Sequence, residues 1–270
     1  MAADAPDQPA PAAVKATFSI PIGRAALTAT VQLPTSRTTL TELLPILQNL
    51  ENAIVSRVGE EAAAAGRPIS CRAGCGACCR QMVPVSIFEA EALTAWLATL
   101  PEDRLASLRE RFHRALSALR DAGVLDSILD GTWVLDEERS TQLAIDYFHA
   151  GVPCPFLEDE SCSIHPIRPL ACREYLVTSS PDLCRDPSVN DVSGIHLPLR
   201  LTRAIFAFGE EIEHDRRGWI PLVFLLAWAK SGARPGDLVA ASGPELLKKF
   251  LDRLFAVSNP DPGAQTASPA

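Results

Sequence analysis

All eight cysteines of this 270-residue chain fall into two groups. The first group lies within the nine residues CRAGCGACC, and the second is spread through CPFLEDESCSIHPIRPLACREYL and the loop that follows it. The two groups are Cys71, Cys75, Cys78 and Cys79, and Cys154, Cys162, Cys172 and Cys184. Thiolates gathered this closely are well suited to bind a metal, whereas they serve poorly as core filler. The sequence therefore predicts a metal site built from cysteine thiolates.

The spacing of the first group draws its four sulfurs to one side of the chain. Cys71, Cys75 and Cys78 are four and three residues apart, and Cys79 follows immediately. Adjacent cysteines rarely bind one tetrahedral ion together, because their side chains diverge. The pair Cys78–Cys79 therefore favours two metal ions or a polynuclear cluster, or leaves one thiol unused.

The second group is spaced too widely for a local zinc knuckle, so its sulfurs have to be brought together by the tertiary fold. Eight sulfurs fill two four-sulfur sites, each supplied by one group or shared between the groups. Such sites hold Zn²⁺ or iron, including an iron–sulfur cluster, because thiolates are the usual ligands of both. The spacing leaves the choice between the metals open, as well as the division of the eight cysteines between sites.

Several cations and one histidine accompany the cysteines. Arg67, Arg72 and Arg80 lie in a stretch with no acidic residue from 67 to 88, where their charge lowers thiol pKa values. Arg168 and Arg173 bracket Cys172, and they either hydrogen-bond thiolates or anchor the loop through backbone carbonyls. His165, three residues after Cys162, is a candidate auxiliary ligand or outer-shell donor.

The combined pattern resembles the YkgJ-type CxxCxxCC cysteine-cluster family over roughly residues 70–185. The resemblance is carried by CRAGCGACC, by VPVS at the head of a helix, and by CPFL, CSIHPIRPLACREY and a last cysteine. The family is described as chelating zinc or iron and has eight cysteines, so the resemblance implies that all eight positions are metal ligands. His165 stands where many relatives carry Tyr, so no family role passes to it.

The function predicted from these residues is metal chelation with a structural, storage or redox-sensing role. The alternative is a cluster-dependent group-transfer enzyme. It comes from the resemblance, since a flagellin lysine methylase contains a cysteine domain that resembles the one in this chain. The chain has no GxGxxG, P-loop or HExxH motif, so it indicates no cofactor pocket and no catalytic residue, and whether it is an enzyme stays open. The CxxxCxxC spacing of radical S-adenosylmethionine enzymes is present, but the alternating strands and helices of their barrel are not.

Charge and hydropathy limit the partners and the compartment. A net charge of −8 argues against a nucleic-acid binder, which needs a basic surface. The N-terminal MAADAPDQPAPAAVK has no apolar core of signal-peptide length, and the most apolar stretch, WIPLVFLLAWA at 219–229, is too short to cross a bilayer. We therefore expect a cytoplasmic protein without a membrane partner, in which the cysteines bind metal rather than form disulfides. The sequence does not indicate a protein partner.

Periodicity predicts a mainly α (α+β) fold, in which one helical domain carries a small N-terminal β-hairpin and a loop-rich metal-binding region at 70–185. The domain is expected to cover residues 16–257, between disordered tails at 1–15 and 258–270. Alternation from Phe18 to Leu33 predicts the hairpin. Helices are expected at 41–65 with Thr41 as N-cap, from a capping box at Ser86 to about 98, and at 101–123, 136–149, 170–176, 201–214, 221–230 and 244–256. Two short extended pieces, 154–157 and 162–165, are expected around a turn.

Overall fold

This computed structural model describes residues 12–22, 25–212 and 217–258 of the chain. Within them lie nine α-helices and four two-stranded antiparallel sheets, joined by turns and loops. The helices are α1 (Leu40–Ala64), α2 (Ile87–Leu97), α3 (Glu102–Asp121), α4 (Leu125–Asp130), α5 (Glu137–His149), α6 (Leu170–Glu174), α7 (Leu201–Ile212), α8 (Leu225–Ala229) and α9 (Gly243–Ser258). The strands are β1 (Ala13–Ile22), β2 (Ala25–Pro34), β3 (Arg37–Thr39), β4 (Pro84–Ser86), β5 (Leu157–Glu158), β6 (Ser161–Cys162), β7 (Trp219–Pro221) and β8 (Ala240–Ser242). The strands pair as β1–β2, β3–β8, β4–β7 and β5–β6. These elements confirm the predicted mainly α fold with a small N-terminal hairpin.

The hairpin β1–β2 has one apolar face, which packs on the core, and one polar face. Ile20 lies opposite Leu27 on the apolar face, and the hydroxyls of Thr17 and Thr30 are 3.0 Å apart on the other face. The strand begins at Ala13 because residues 13–15 pair with 32–34, so the predicted tail is wrong for those three residues. The remainder of that tail, 1–11, and residues 259–270 lie outside the described part of the chain.

The N-cap of helix α1 lies two residues before the predicted one. It is Thr39, whose Oγ1 accepts from the Glu42 amide at 3.1 Å, while Glu42 Oε2 accepts from the Thr39 amide at 2.7 Å. Thr41 instead donates its hydroxyl proton to Glu91 Oε2 at 2.8 Å. The helix starts earlier because the pairing of β3 with β8 ends at Thr39.

Most of the other predicted helices are confirmed to within a few residues. The capping box of Ser86 and Glu89 opens α2 as predicted. Helix α7 is described as far as Ile212, so the last two predicted residues, including His214, lie outside the described part. The predicted helix at 221–230 is wrong in its first four residues. Residues 219–221 form β7 on β4, a 3₁₀ turn follows, and only then does α8 begin.

The described residues form three apolar cores, one of which joins α3, α4 and α5. The larger core joins the hairpin, α1, α7 and α9, with Leu40, Ile54 and Phe250 fully buried. In the second, the ring of Phe156 lies edge-on to Phe112 at 5.5 Å between centroids, and the partly buried Cys154 and Cys162 pack against this core. No helix within the described residues is both long enough and apolar enough to cross a bilayer.

Candidate metal centre

The first cysteine segment is fixed to the chain that precedes the last cysteine. The amide of Ser70 donates to the carbonyl of Val177 at 2.9 Å, and the amide of Val177 donates to Cys71 Sγ at 3.4 Å. Gly74, with φ of 81°, then turns the backbone through a conformation that residues with a Cβ rarely adopt. A 3₁₀ turn, Ala77–Arg80, follows and carries Cys78 and Cys79.

The hairpin β5–β6 of the second group lies directly against the first group. A Cβ on Gly76 would lie 2.5 Å from Glu160 Oε2, 2.9 Å from Leu157 Cδ1 and 3.3 Å from Glu160 Cα, so a larger residue there would press on this hairpin. The amide of Cys154 donates to the carbonyl of Cys79 at 2.7 Å, and Arg80 Nη2 lies 2.7 Å from Glu160 Oε1. The fold therefore brings the two cysteine groups together, which their wide separation in sequence left open.

The cysteines of the second group lie on or beside three separate elements: the hairpin β5–β6, helix α6 and a 3₁₀ turn. Cys154 precedes β5 and Cys162 ends β6. A two-stranded hairpin is present, but the predicted extended pieces 154–157 and 162–165 are wrong in their bounds, because turns occupy 155–156 and 163–164 and each piece shares one residue with a strand. Cys172 lies on α6, whose first amide, that of Leu170, donates to Glu89 Oε1 at 2.7 Å. Cys184 is buried in a 3₁₀ turn, 181–185, that contacts the turn carrying Cys78 and Cys79.

Electrostatic coupling shows which thiols are neighbours. Burial raises the pKa of Cys184, and the thiolates of Cys71, Cys75 and Cys78 raise it further. Burial also raises the pKa of Cys172 well above its usual range, with added repulsion from Cys154, Cys78 and Cys162. Cys78 is common to both sets, so it lies at the junction of the two groups.

The adjacent pair Cys78–Cys79 interacts directly. A hydrogen bond from the Cys79 thiol lowers the pKa of Cys78 to about 7, despite an opposing effect of burial. The same bond, followed by burial and by the charge of Cys78, raises the pKa of Cys79 far above its usual range. Cys78 is therefore the member of the pair that ionises first and is ready to act as a metal ligand near neutral pH.

Backbone amides donate to three of the sulfurs. Burial raises the pKa of Cys154 to about 12, and the amide of Phe156 opposes that increase by a hydrogen bond to the sulfur. The amide of Ile164 acts in the same way on Cys162, and that of Val177 on Cys71. Amide donors stabilise the anionic form of sulfur, and such outer-shell bonds orient and tune thiolate ligands of metals.

The two arginines that bracket Cys172 have different roles. Arg173 is 4% exposed and anchors the loop, because it donates to the carbonyls of Pro166 at 2.6 Å and Arg168 at 3.1 Å, and to Asn52 Oδ1 at 2.8 Å. The charge of Arg168 acts on the thiols. It lowers the pKa values of Cys71 and Cys162, where burial has the larger and opposite effect, and that of Cys78, where the hydrogen bond from Cys79 has the larger effect in the same direction.

The donor set fits a thiolate-bound metal. All eight cysteines are free thiols, and they are coupled to one another, supplied with amide donors and accompanied by the Arg168 cation. In the described part of the chain, no three Cys, His, Asp or Glu side chains are already arranged as ligands of a single ion. His165 is exposed, and desolvation followed by the charges of Arg168 and Arg173 lowers its pKa. Its role as an auxiliary ligand stays a prediction.

Tyr175 is a neighbour of the cysteines that the sequence did not distinguish from a core residue. Burial raises the pKa of its phenol, and Cys184, Cys78 and Cys71 contribute to the increase. Tyr175 lines a cavity of about 420 Å³. Other residues that line it are Glu174, Val177, Asp191 and Arg200. No cysteine lines this cavity, so it does not provide the pocket onto the cysteines that a group-transfer enzyme would need.

One comparison with known proteins finds a match that covers the cysteine region. Residues 70–189 match the family model CxxCxxCC, whose description is "putative zinc- or iron-chelating domain". The match confirms the resemblance predicted from the cysteine motif. No curated protein and no solved structure matches the chain. The comparisons therefore support metal chelation as the class of function and give no support to the group-transfer alternative.

Proposed function

We propose that this chain, which carries a CxxCxxCC domain at residues 70–189, chelates zinc or iron through its eight cysteine thiolates. The observation that carries the proposal is the position of Cys78, whose charge raises the pKa values of Cys172 and Cys184 from the second group. Thiolates crowded in this way repel one another, and a bound cation removes that repulsion. The reducing cytoplasm, where thiols stay available to metal, is the compartment that suits this chemistry.

The pattern of thiol neighbours supports two adjacent four-sulfur sites, each drawn from both groups. In site A, charge on the other three sulfurs raises the pKa of Cys184. In site B, charge on Cys154 and Cys162 raises the pKa of Cys172, as does charge on Cys78 of site A, and charge on Cys154 and Cys172 raises the pKa of Cys79. Site A consists of Cys71, Cys75, Cys78 and Cys184, and site B of Cys79, Cys154, Cys162 and Cys172. This division assigns the adjacent cysteines to different sites, which avoids the poor geometry of two neighbouring ligands on one tetrahedral ion.

A metal in these sites would link three separate segments of the chain: 70–81, 154–172 and 177–184. A metal that binds only the folded arrangement contributes its binding free energy to folding. We therefore assign the metal a structural role, in which it holds the loop-rich segments on the helical core. Storage would require ready exchange of the metal, and redox sensing would require oxidation of iron or of the thiols.

Anaerobic purification followed by elemental analysis and an absorption spectrum tests the proposal. Two zinc sites predict a colourless protein with about two zinc ions per chain, and an iron–sulfur cluster predicts brown colour with acid-labile sulfide. Absence of both metals, with eight thiols that all react freely with a thiol reagent, would contradict the proposal.

A double variant distinguishes the shared sites from sites built by one group each. In C172S/C184S, sites A and B each lose one ligand, so both are expected to lose most of their zinc affinity. If the first group instead forms a site alone, the variant retains about one tightly bound zinc ion per chain. The exposed-residue variant V189A is the matched control and is expected to retain full zinc content.

A further inference from the structure

Arg168 carries a buried hydrogen-bond donor that has no partner. Its side chain is half-buried, and among the described residues nothing accepts from its Nε. Buried donors are almost always satisfied, and an unsatisfied one requires an explanation such as an absent ion or ligand. The backbone around it is fixed, because its carbonyl accepts from Arg173 Nε at 3.1 Å and Pro169 follows it.

Two other guanidinium groups in this region have protein partners. Arg80 pairs with Glu160, and Arg173 donates to Asn52 and to two carbonyls. Arg168 has no carboxylate within ion-pair distance among the residues that the structure describes, and its charge acts on sulfurs of both cysteine groups. Along the chain it lies between Cys162 and Cys172 of the second group, in the loop that Arg173 anchors.

A metal–thiolate centre supplies what Arg168 lacks. Four thiolates on one divalent ion leave a net charge of about −2, and this chain is already acidic, with a net charge of −8. The N–H groups of a guanidinium donate well to anionic acceptors, and their charge offsets the residual negative charge.

We propose that Arg168 is the positioning residue of the metal centre, providing the countercharge and an N–H donor to its thiolates at the junction of the two cysteine groups. The inference rests on the proposed function, and it assigns to one side chain the outer-shell role for which the sequence offered two arginines. It predicts that the metal affinity and the electronic character of the metal–sulfur bonds both depend on residue 168.

Cobalt(II) is a suitable probe, because a tetrahedral thiolate site gives it visible d–d bands and a near-ultraviolet sulfur-to-metal charge-transfer band. Wild type, R168Q, R168K and R72Q are loaded anaerobically, and affinity is measured by competition with a chromogenic chelator. Arg72 is the matched control, because it is exposed and belongs to the same segment as the first cysteine group.

R168Q is expected to bind cobalt about 10–100-fold more weakly, the usual loss for an outer-shell partner of a metal ligand. Its charge-transfer band is expected to move to lower energy, because a thiolate that loses a hydrogen bond is the better electron donor. R168K retains the charge without the planar fork and is expected to recover part of the affinity. R72Q is expected to stay within about twofold of wild type.

The results separate the two proposals. If wild type takes up no cobalt, zinc or iron, the proposed function fails and this inference fails with it. If wild type binds metal while R168Q matches R72Q in affinity and band position, the role of Arg168 alone is wrong. A loss of affinity in R168Q that comes with reduced helical circular dichroism and an unshifted band would indicate a structural role and would also overturn the inference.

Discussion

Gly76 sets the distance between the two cysteine groups. Its φ of −95° is open to any residue, so the requirement for glycine comes from the nearby hairpin β5–β6 rather than from its own backbone. A methyl group there would meet Leu157 and the backbone of Glu160 as well as a flexible carboxylate. The hairpin would have to move, and Cys154 and Cys162 would move with it.

We therefore expect G76A to lower the free energy of unfolding by about 1–3 kcal/mol, the usual effect of an extra carbon in a packed contact, and to weaken metal binding. Urea unfolding and chelator competition measure the two effects. G74A is the matched control. Gly74 has a φ of 81°, but a Cβ there would meet no atom within 4 Å, so the substitution introduces strain without displacing the hairpin. Equal metal affinity in G76A and wild type would contradict the expectation.

Glu51 and Glu174 form a buried pair of acidic side chains beside the start of α7. Glu51 is fully buried, and neither of its carboxyl oxygens has a side-chain or backbone hydrogen bond of good geometry. Burial raises the pKa of Glu51, and repulsion from Glu174 raises it further; burial also raises the pKa of Glu174, whose Oε1 accepts from the Thr202 amide at 2.8 Å. The folded protein therefore retains protons that the unfolded chain releases.

Stability is expected to fall as pH rises, starting near pH 4.5, where the unfolded glutamates ionise, and continuing towards the raised pKa values of the folded pair. The slope reaches about 1.4 kcal/mol per pH unit for one retained proton. E51Q cannot ionise and is expected to lose less stability between pH 5 and pH 8 than wild type, as measured by urea unfolding at both pH values. E60Q, at an exposed position of the same helix, is expected to follow wild type.

For single residues, the sequence indicates which residue types matter, but it does not indicate which residues they contact in the fold. The spacing of the eight cysteines predicts them as metal ligands, which stays a prediction, and the structure brings their two groups together. Arg168 and Arg173 could not be told apart, since both lie four residues or fewer from Cys172 and only the fold decides which guanidinium meets carbonyls. The direct contact at Gly76 involves residues about 80 positions away, so no local pattern contains it.

Helix α2 links the helical core to the second cysteine group through its N-terminus. Ser86 is fully buried; its Oγ donates to Glu89 Oε2 at 2.7 Å and accepts from the Glu89 amide at 3.2 Å. The other oxygen of Glu89 accepts from Leu170 at the start of α6, the helix that carries Cys172. One carboxyl group therefore fixes the beginning of two helices.

S86A is expected to lower the free energy of unfolding by about 2 kcal/mol, because it leaves the buried Glu89 amide without a partner and removes the hydroxyl donor to Glu89 Oε2, which then accepts only from the backbone amide of residue 86. T39A removes the corresponding cap of α1, where the bonds are exposed, and is expected to cost about 1 kcal/mol. Urea unfolding gives both values. S86A alone is expected to weaken metal binding as well, so a larger effect of T39A on either measurement would contradict this role of α2.

Local patterns predicted the elements that are stabilised locally. Helices α2 and α5 have a capping side chain and their apolar spacing within the same short stretch, and α3 follows Pro101 with its own apolar spacing, so the positions of all three were predicted to within two residues. The wrong N-cap of α1 and the missed strand β7 have a common cause. Both depend on pairing with strands more than 130 residues away, β8 for β3 and β4 for β7, and such pairing leaves no periodic signal in a two- or three-residue segment.

The larger apolar core contains the hairpin, α1, α7 and α9, and its most buried side chains do not include a cysteine. The cysteine segments 70–81 and 154–185 instead consist mainly of turns and very short elements on the surface of the cores. Segments with few apolar contacts open at low free energy unless something else holds them. A bound metal is the natural candidate for that role.

Removal of metal is therefore expected to affect the molecule unevenly. Hydrogen exchange measured by mass spectrometry, with and without a chelator, should show loss of protection in the two cysteine segments and little change in β2, α1 and α9. Structural zinc contributes on the order of 10–16 kcal/mol in small domains, so the local effect should be large. The control is the same chelator presaturated with zinc. Uniform loss of protection would indicate that metal holds the whole fold, and no loss would argue against a structural metal.

The close approach of α9 to the N-terminal hairpin has a consequence for the order of synthesis. A Cβ on Gly243 would lie 2.5 Å from the carbonyl oxygen of Pro34, and β3 pairs with β8 just before α9, so the first and last described elements complete one core together. On the ribosome, all eight cysteines are synthesised more than 50 residues before α9 ends. The nascent chain therefore presents all eight thiols before this core can close.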